Sequence, residues 1–131
     1  MKRILIVEDE GDVADMLAAF LRSHGYEVDV ADSPEKGIKA AAEAQYDLGI
    51  VDLMMPHMNG FDVAEAIRKR DRLTPLLLVT GRTDDALVRG SARRAGYTGV
   101  VFKPVDPDDL LARVRRLTDR GRRGARSGEY S

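Results

Sequence analysis

The sequence predicts an α/β fold: a doubly wound, five-stranded parallel sheet with five helices. Three observations predict it. Five short apolar runs alternate strictly with five longer amphipathic segments, the pattern of a parallel sheet with helices on both faces. The first run, RILIV, is short, β-branched and closed by acids, as a strand buried on both faces should be. The chain has 131 residues, 44% of them hydrophobic, enough for one ordinary domain with a single core. Right-handed crossovers make the doubly wound arrangement the natural closure of such a series.

Each element has a local reason. Arg3–Val7 reads as the first strand. Gly11–Ser23 is the first helix, with Val13, Met16, Leu17, Phe20 and Leu21 at helical spacing and Gly25 as its stop. Glu27–Ala31 (EVDVA) alternates as a half-buried strand. Ser33-Pro34-Glu35 starts the second helix with a capping hydroxyl, a proline in the first turn and an acid at the positive end of the dipole; it carries Ile38, Ala41 and Ala42 to about Ala44. Leu48–Val51 is the third strand, ending at Asp52. Phe61–Arg70 is helical with Val63, Ala64 and Ile67 inward. Leu76–Val79 is an apolar strand after Pro75, closed by Thr80-Gly81. Asp84–Ala95 is a weakly amphipathic helix anchored by Ala86, Leu87, Val88 and Ala92. Gly99–Phe102 is the fifth strand, and Pro107–Leu117 the last helix, with Leu110, Leu111, Val114 and Leu117 on one stripe. The domain is expected to span 1–119. Residues 120–131, RGRRGARSGEYS, have no apolar periodicity and read as a disordered basic tail.

In open parallel sheets, ligands sit beyond the carboxyl ends of the strands, near the point where strand order reverses. Glu8 and Asp9 follow the first strand, Asp52 closes the third, Thr80 follows the fourth, and Lys103-Pro104 follow the fifth. A buried carboxylate is costly unless something pairs with it. Two carboxylate charges about 4 Å apart repel by about 4 kcal/mol at an effective dielectric of about 20. Either one acid holds a proton or a divalent cation is bound. An all-oxygen cluster without His or Cys suits Mg²⁺, with Mn²⁺ able to substitute. Lys103 adds a further positive charge.

The acidic pair Glu8-Asp9, the block DLMMPHMNG from Asp52 to Gly60, Thr80 and Lys103-Pro104 together resemble the receiver domain of bacterial two-component response regulators, over Lys2 to about Thr118. The resemblance implies the CheY-like, flavodoxin-like strand order 2-1-3-4-5 and a cis peptide before Pro104. It implies that Asp52 takes a phosphoryl group from a sensor histidine kinase or histidine phosphotransfer protein. Asp9, Asp52 and the backbone carbonyl of Met54 would ligate Mg²⁺ directly, Glu8 would act through water, and Lys103 and Thr80 would contact phosphoryl oxygens. The protein would be a signalling switch, catalysing only its own phosphorylation and dephosphorylation. Met55, Pro56, Met58 and Gly60 would pack and turn the loop. The family's aromatic three residues before the lysine is here Val100, so the switch region (Gly81, Tyr97, Val100) is expected to work without an aromatic swing. Phe102 should face away from the site.

Other classes fit less well. A haloacid-dehalogenase type of enzyme also uses a strand-end aspartate with Mg²⁺, but it wants a second acid where Met54 stands. The first loop, EDEGD, has no glycine-rich phosphate cradle. His24 and His57 have no helix-phase partner for a metal, and His57 reads as a surface loop residue. With no cysteine, disulfides and thiolate metal sites are excluded, which fits a cytoplasmic protein. The apolar start stops at Glu8-Asp9-Glu10, too soon for a signal peptide, and no run reaches membrane-spanning length. Residues 1–111 hold 14 Lys and Arg against 20 Asp and Glu, whereas 112–131 hold 7 against 2. The basic end could touch nucleic-acid phosphates nonspecifically, but no recognition helix follows it. With no output domain visible, a stand-alone receiver acting on a downstream protein and a receiver cut from a longer regulator are both open.

Overall fold

The computed structural model describes residues 1–82 and 85–125. The elements run β1 (Arg3–Val7), α1 (Gly11–Ser23), β2 (Glu27–Ala31), α2 (Pro34–Glu43), β3 (Leu48–Asp52), α3 (Gly60–Arg68), β4 (Leu76–Thr80), α4 (Asp85–Ala95), β5 (Gly99–Phe102) and α5 (Pro107–Ala125). All neighbouring strands pair in parallel, in the order β2-β1-β3-β4-β5. This is the doubly wound sheet that the alternation predicts. Strand order reverses between β1 and β3, and their carboxyl ends lie side by side, with Val7 level with Val51.

Side chains that alternate along each strand feed two separate cores. Ile4, Ile6, Leu48, Ile50, Leu77, Val79 and Val101 meet Ala18 and Leu21 of α1 and Leu110, Val114 and Leu117 of α5. Leu5, Val7, Val51, Leu76, Leu78 and Val100 meet α3 through Val63, Ala64 and Ile67, and α4 through Val88, Ala92 and Ala95. The helices thus divide into α1 and α5 on one face and α2, α3 and α4 on the other. The central strands β3 and β4 are buried at every position, which is why they read as continuous apolar runs.

Several local expectations are corrected. On α1 the buried positions are Ala14, Ala18 and Leu21, and Met16 is 67% exposed; the apolar stripe is a turn edge narrower than the composition suggests. Val30 on the edge strand β2 is exposed. Ala42 faces solvent; Ile38, Ala40 and Ala41 pack in its place. On α4, Ala86 and Leu87 are exposed, and Ala95 is the third anchor beside Val88 and Ala92. The predicted start of that helix, Asp84, lies outside the described residues. α3 begins at Gly60, fixed by a reciprocal cap: the Asp62 N–H donates to Asn59 Oδ1 (3.0 Å) and the Asn59 N–H donates to Asp62 Oδ2 (3.3 Å). Ser33 caps α2 as predicted, accepting from the Lys36 N–H at 3.1 Å. α5 does not stop at Leu117 but continues to Ala125, so residues 120–125, expected in a disordered tail, are helical. Arg120, Arg122, Arg123 and Ala125 favour this continuation, while Gly121 and Gly124 do not. The rest of the expected tail, 126–131, lies outside the described residues.

Candidate functional site

The carboxyl ends of β1 and β3 lie side by side, Val7 level with Val51, and hydrogen bonds extend the sheet at the rim toward their outer neighbours: the Glu8 N–H donates to the Ala31 carbonyl of β2 (3.0 Å) and the Leu53 N–H to the Val79 carbonyl of β4 (3.0 Å). Carboxylate oxygens of Glu8, Asp9 and Asp52 consequently lie within 4.8 Å of one another. Glu8 and Asp52 are buried, at 3% and 6% exposure, and Asp9 is more open to solvent. The Lys103 Nζ, brought in from the end of β5, lies 3.1 Å from Asp52 Oδ1. The peptide between Lys103 and Pro104 is cis.

Crowding and burial set the ionisation of the group. Burial, and then the charge of Asp52, push the Glu8 carboxyl up to about 7, against the pull of a hydrogen bond from the Glu10 N–H (3.2 Å). Burial also raises the Asp52 carboxyl, opposed by its bond to Lys103. At Lys103 burial works to lower the ammonium, and the Asp52 carboxylate outweighs it, so its value is raised. Near neutral pH the site is therefore a partly protonated acid cluster held in check by one lysine. Its donors are all oxygen, and the mutual repulsion of Glu8 and Asp52, the second cause of the Glu8 shift after burial, is what a bound dication offsets. The residues fit a hard divalent cation of the Mg²⁺ type.

The loop after Asp52 is held closely. The Gly60 N–H donates to the Leu53 carbonyl at 2.9 Å. A Cβ on Gly60 would stand 2.7 Å from the Asp52 carbonyl oxygen and 3.0 Å from the Leu53 Cα, so only glycine lets α3 start here. Met54, the second residue of this loop, is 65% exposed. Met55 and Met58 pack on the core below, and His57, at φ 71°, turns the loop with its side chain exposed. Thr80 is 1% exposed; its hydroxyl accepts from the Arg82 N–H (3.1 Å) and its carbonyl from the Lys103 N–H (2.8 Å). Gly81 lies against the Lys103 stem, where an added Cβ would make ordinary contact at 3.9 Å.

The other two switch positions are elsewhere. Val100 is buried under the α3–α4 face, level with Leu78 of β4. Phe102 is half-buried on the same face, with the Arg89 guanidinium 5.0 Å over its ring. Tyr97 is buried, and its hydroxyl donates to the Gly60 carbonyl at 2.6 Å. Sequence reasoning missed this bond. The two residues are 37 positions apart, and nothing in local spacing links them.

A parallel sheet of this order, with acids at the ends of β1 and β3 and a lysine at the end of β5, defines the doubly wound signalling domains that accept a phosphoryl group. The chain belongs to the response regulator receiver domain family, whose model matches residues 4–115. Among curated relatives it is 36% identical over 122 residues to the transcriptional regulatory protein PcoR of Escherichia coli, covering 93% of this chain and 54% of that protein. It is 36% identical over 115 residues to the DNA-binding response regulator MtrA of Mycolicibacterium paratuberculosis, covering 87% and 50%. The chain thus spans about half the length of the curated relatives it matches. Among solved structures, the chemotaxis protein CheY4 of Vibrio cholerae superposes with a TM-score of 0.84 at 31% identity, over 89% of this chain and 98% of that one. The response regulator TrrA of Thermotoga maritima, solved in complex with Mg²⁺-BeF, superposes at 0.81 with 33% identity, over 89% and 99%. The function of this family is phosphoryl acceptance in two-component signalling, with histidine kinases as partners, and its receivers bind Mg²⁺ at an acidic pocket. Among the described residues no helix is long and apolar enough to cross a membrane.

Proposed function

We propose that Asp52 is the phosphoryl acceptor of this receiver, and that Glu8, Asp9, Asp52 and the Met54 carbonyl hold Mg²⁺ beside it. The observation that carries the reading is the Asp52 carboxylate, buried at a strand end, 3.1 Å from Lys103 and clustered with two further acids. An Asp52 oxygen attacks the phosphorus carried on a kinase or phosphotransfer histidine. The new O–P bond forms as the N–P bond breaks, and the imidazole leaves with its electron pair and takes up a proton. Such a transfer needs positioning and charge neutralisation more than proton chemistry. β3 supplies the positioning, a fixed mount for the carboxylate. Lys103 pairs with a phosphoryl oxygen once its partner carboxylate is esterified, and the Thr80 hydroxyl, which accepts from the Arg82 N–H, donates its own proton to another phosphoryl oxygen. When bound, Mg²⁺ supplies neutralisation of the charge that builds on the phosphoryl oxygens.

The protein would then be a cytoplasmic switch that catalyses only its own phosphorylation and dephosphorylation, signalling to a downstream protein or to an output domain joined to it. The test is incubation with acetyl phosphate and Mg²⁺. One phosphoryl group per chain should appear, labile to base and hydroxylamine, and Asp52→Asn should remove it. Full labelling of that variant would overturn the assignment.

A further inference from the structure

We infer that Tyr97 is a positioning residue for the acid site: its hydroxyl, donated to the Gly60 carbonyl, ties the junction of α4 and β5 to the start of α3, which is bonded to Leu53 between Asp52 and Met54. The inference rests on the proposed reading of Asp52 and its metal ligands. The chain of contacts is short. Tyr97 lies two residues past Ala95, the last residue of α4, its N–H donating to the Ala92 carbonyl at 2.9 Å. Its ring is buried among α3 and α4 side chains, and its hydroxyl meets the Gly60 carbonyl at 2.6 Å, a short and well-made O–H···O bond. Gly60 in turn donates to the Leu53 carbonyl and rests against the Asp52 peptide. From the end of α4 to the backbone between the acceptor and the Met54 carbonyl there is thus one hydroxyl and one glycine.

The junction is also held at the other end of α3. The Arg68 guanidinium donates twice to the Gly96 carbonyl, at 3.0 and 2.8 Å. Gly96 itself needs its positive φ of 108° and the missing Cβ, since a Cβ would stand 2.7 Å from the Arg68 Cγ. Arg68 fixes the junction to α3 far from the acids, whereas Tyr97 fixes it next to them. A shift of α4 is therefore felt at the Asp52–Met54 backbone through Tyr97, and by reciprocity a change at the site is felt at α4. Val100, too small and too deeply packed to swing, leaves Tyr97 as the aromatic side chain that connects the two regions, and it acts as a fixed strut.

The test compares the full chain with Tyr97→Phe and Arg68→Gln. Mg²⁺ affinity is measured by titration calorimetry, and amide exchange of α4 is followed before and after beryllofluoride with Mg²⁺. Tyr97→Phe should bind Mg²⁺ about fivefold more weakly, the size of one lost hydrogen bond, and the response of α4 to beryllofluoride should shrink. Arg68→Gln, which loosens the same junction away from the acids, should keep the wild-type affinity. Wild-type affinity and α4 response in Tyr97→Phe would overturn the inference, as would an equal loss in Arg68→Gln. Where Tyr97→Phe fails to fold, the wild-type chain decides: the carbon resonance at Tyr97 Cζ, which senses the hydroxyl's bond, should shift with Mg²⁺ and beryllofluoride, and an unmoved resonance overturns the inference. A wild-type chain that binds no Mg²⁺ overturns the metal-site reading together with this one, whereas a responsive wild type with an indifferent Tyr97→Phe overturns this one alone.

Discussion

Glu8 is the residue at which burial, and after it the charge of Asp52, has a measurable cost. The folded chain holds its proton up to about pH 7, while the unfolded chain releases it near the ordinary carboxyl value of 4.5. Between those values the folded state binds more protons, so the metal-free protein loses stability as pH rises, by at most about 3 kcal/mol. Urea unfolding without metal should therefore show a lower midpoint at pH 7.5 than at pH 5, and Glu8→Gln should flatten that difference. A wild-type midpoint that does not fall relative to the variant counts against a raised Glu8 carboxyl. Mg²⁺ binding below pH 7 should release a proton from the cluster, seen as a calorimetric heat that depends on the ionisation enthalpy of the buffer.

Two elements around the site differ in how firmly they are held. α3 has a double cap, a glycine seated on the Asp52 peptide and three buried anchors. Asn59→Ala should cost about 1 kcal/mol through the lost cap. Gly60→Ala should cost about 1–3 kcal/mol through the clash with the Asp52 backbone, and it should impair phosphorylation while Asn59→Ala does not; denaturant unfolding and acetyl phosphate labelling separate the two. α4 is anchored only by Val88, Ala92 and Ala95, with Leu87 61% exposed. A helix with so few buried contacts opens at low cost, so its amides should exchange faster than those of α3. Phosphorylation or beryllofluoride should alter α4 exchange without burying an aromatic ring beside Thr80. Tyr97 is already buried, and Phe102 sits beneath Arg89. A structure of the activated form with either ring newly packed on Thr80 would refute this.

At the scale of the whole molecule, the acid cluster and the fold oppose each other until a cation binds. A ligand that binds only the native state stabilises it by about 2.7 kcal/mol at a hundredfold excess over its Kd. Millimolar Mg²⁺ should raise the thermal midpoint of the wild type. Asp9→Ala should melt higher than the wild type without metal, and its midpoint should no longer respond to Mg²⁺. A wild-type curve indifferent to millimolar Mg²⁺ would remove the metal from the proposed mechanism. The charge is distributed for this arrangement: the acids gather in the body that holds the site, and the basic residues gather from 112 onward, along α5 and beyond it.

By itself the sequence determined the strand and helix order, the two-faced burial of β3 and β4, and which residues stand at the strand ends. Hydrophobic period and turn chemistry are local properties, and the crossover rule turns them into a doubly wound parallel sheet; the order 2-1-3-4-5 was implied only by the resemblance to receiver domains. The acid cluster was legible for the same reason: once the sheet is parallel, residues after successive strands must meet at one rim. Tertiary structure decided which apolar residues are anchors, since Met16, Ala42 and Leu87 have the right character but no neighbour to bury them. It also decided that α5 outruns its stripe, that Glu8 is the acid most crowded toward neutrality, and that the Tyr97 hydroxyl lands on Gly60. Each of these depends on atoms brought together from distant parts of the chain, and only the folded packing sets their distances.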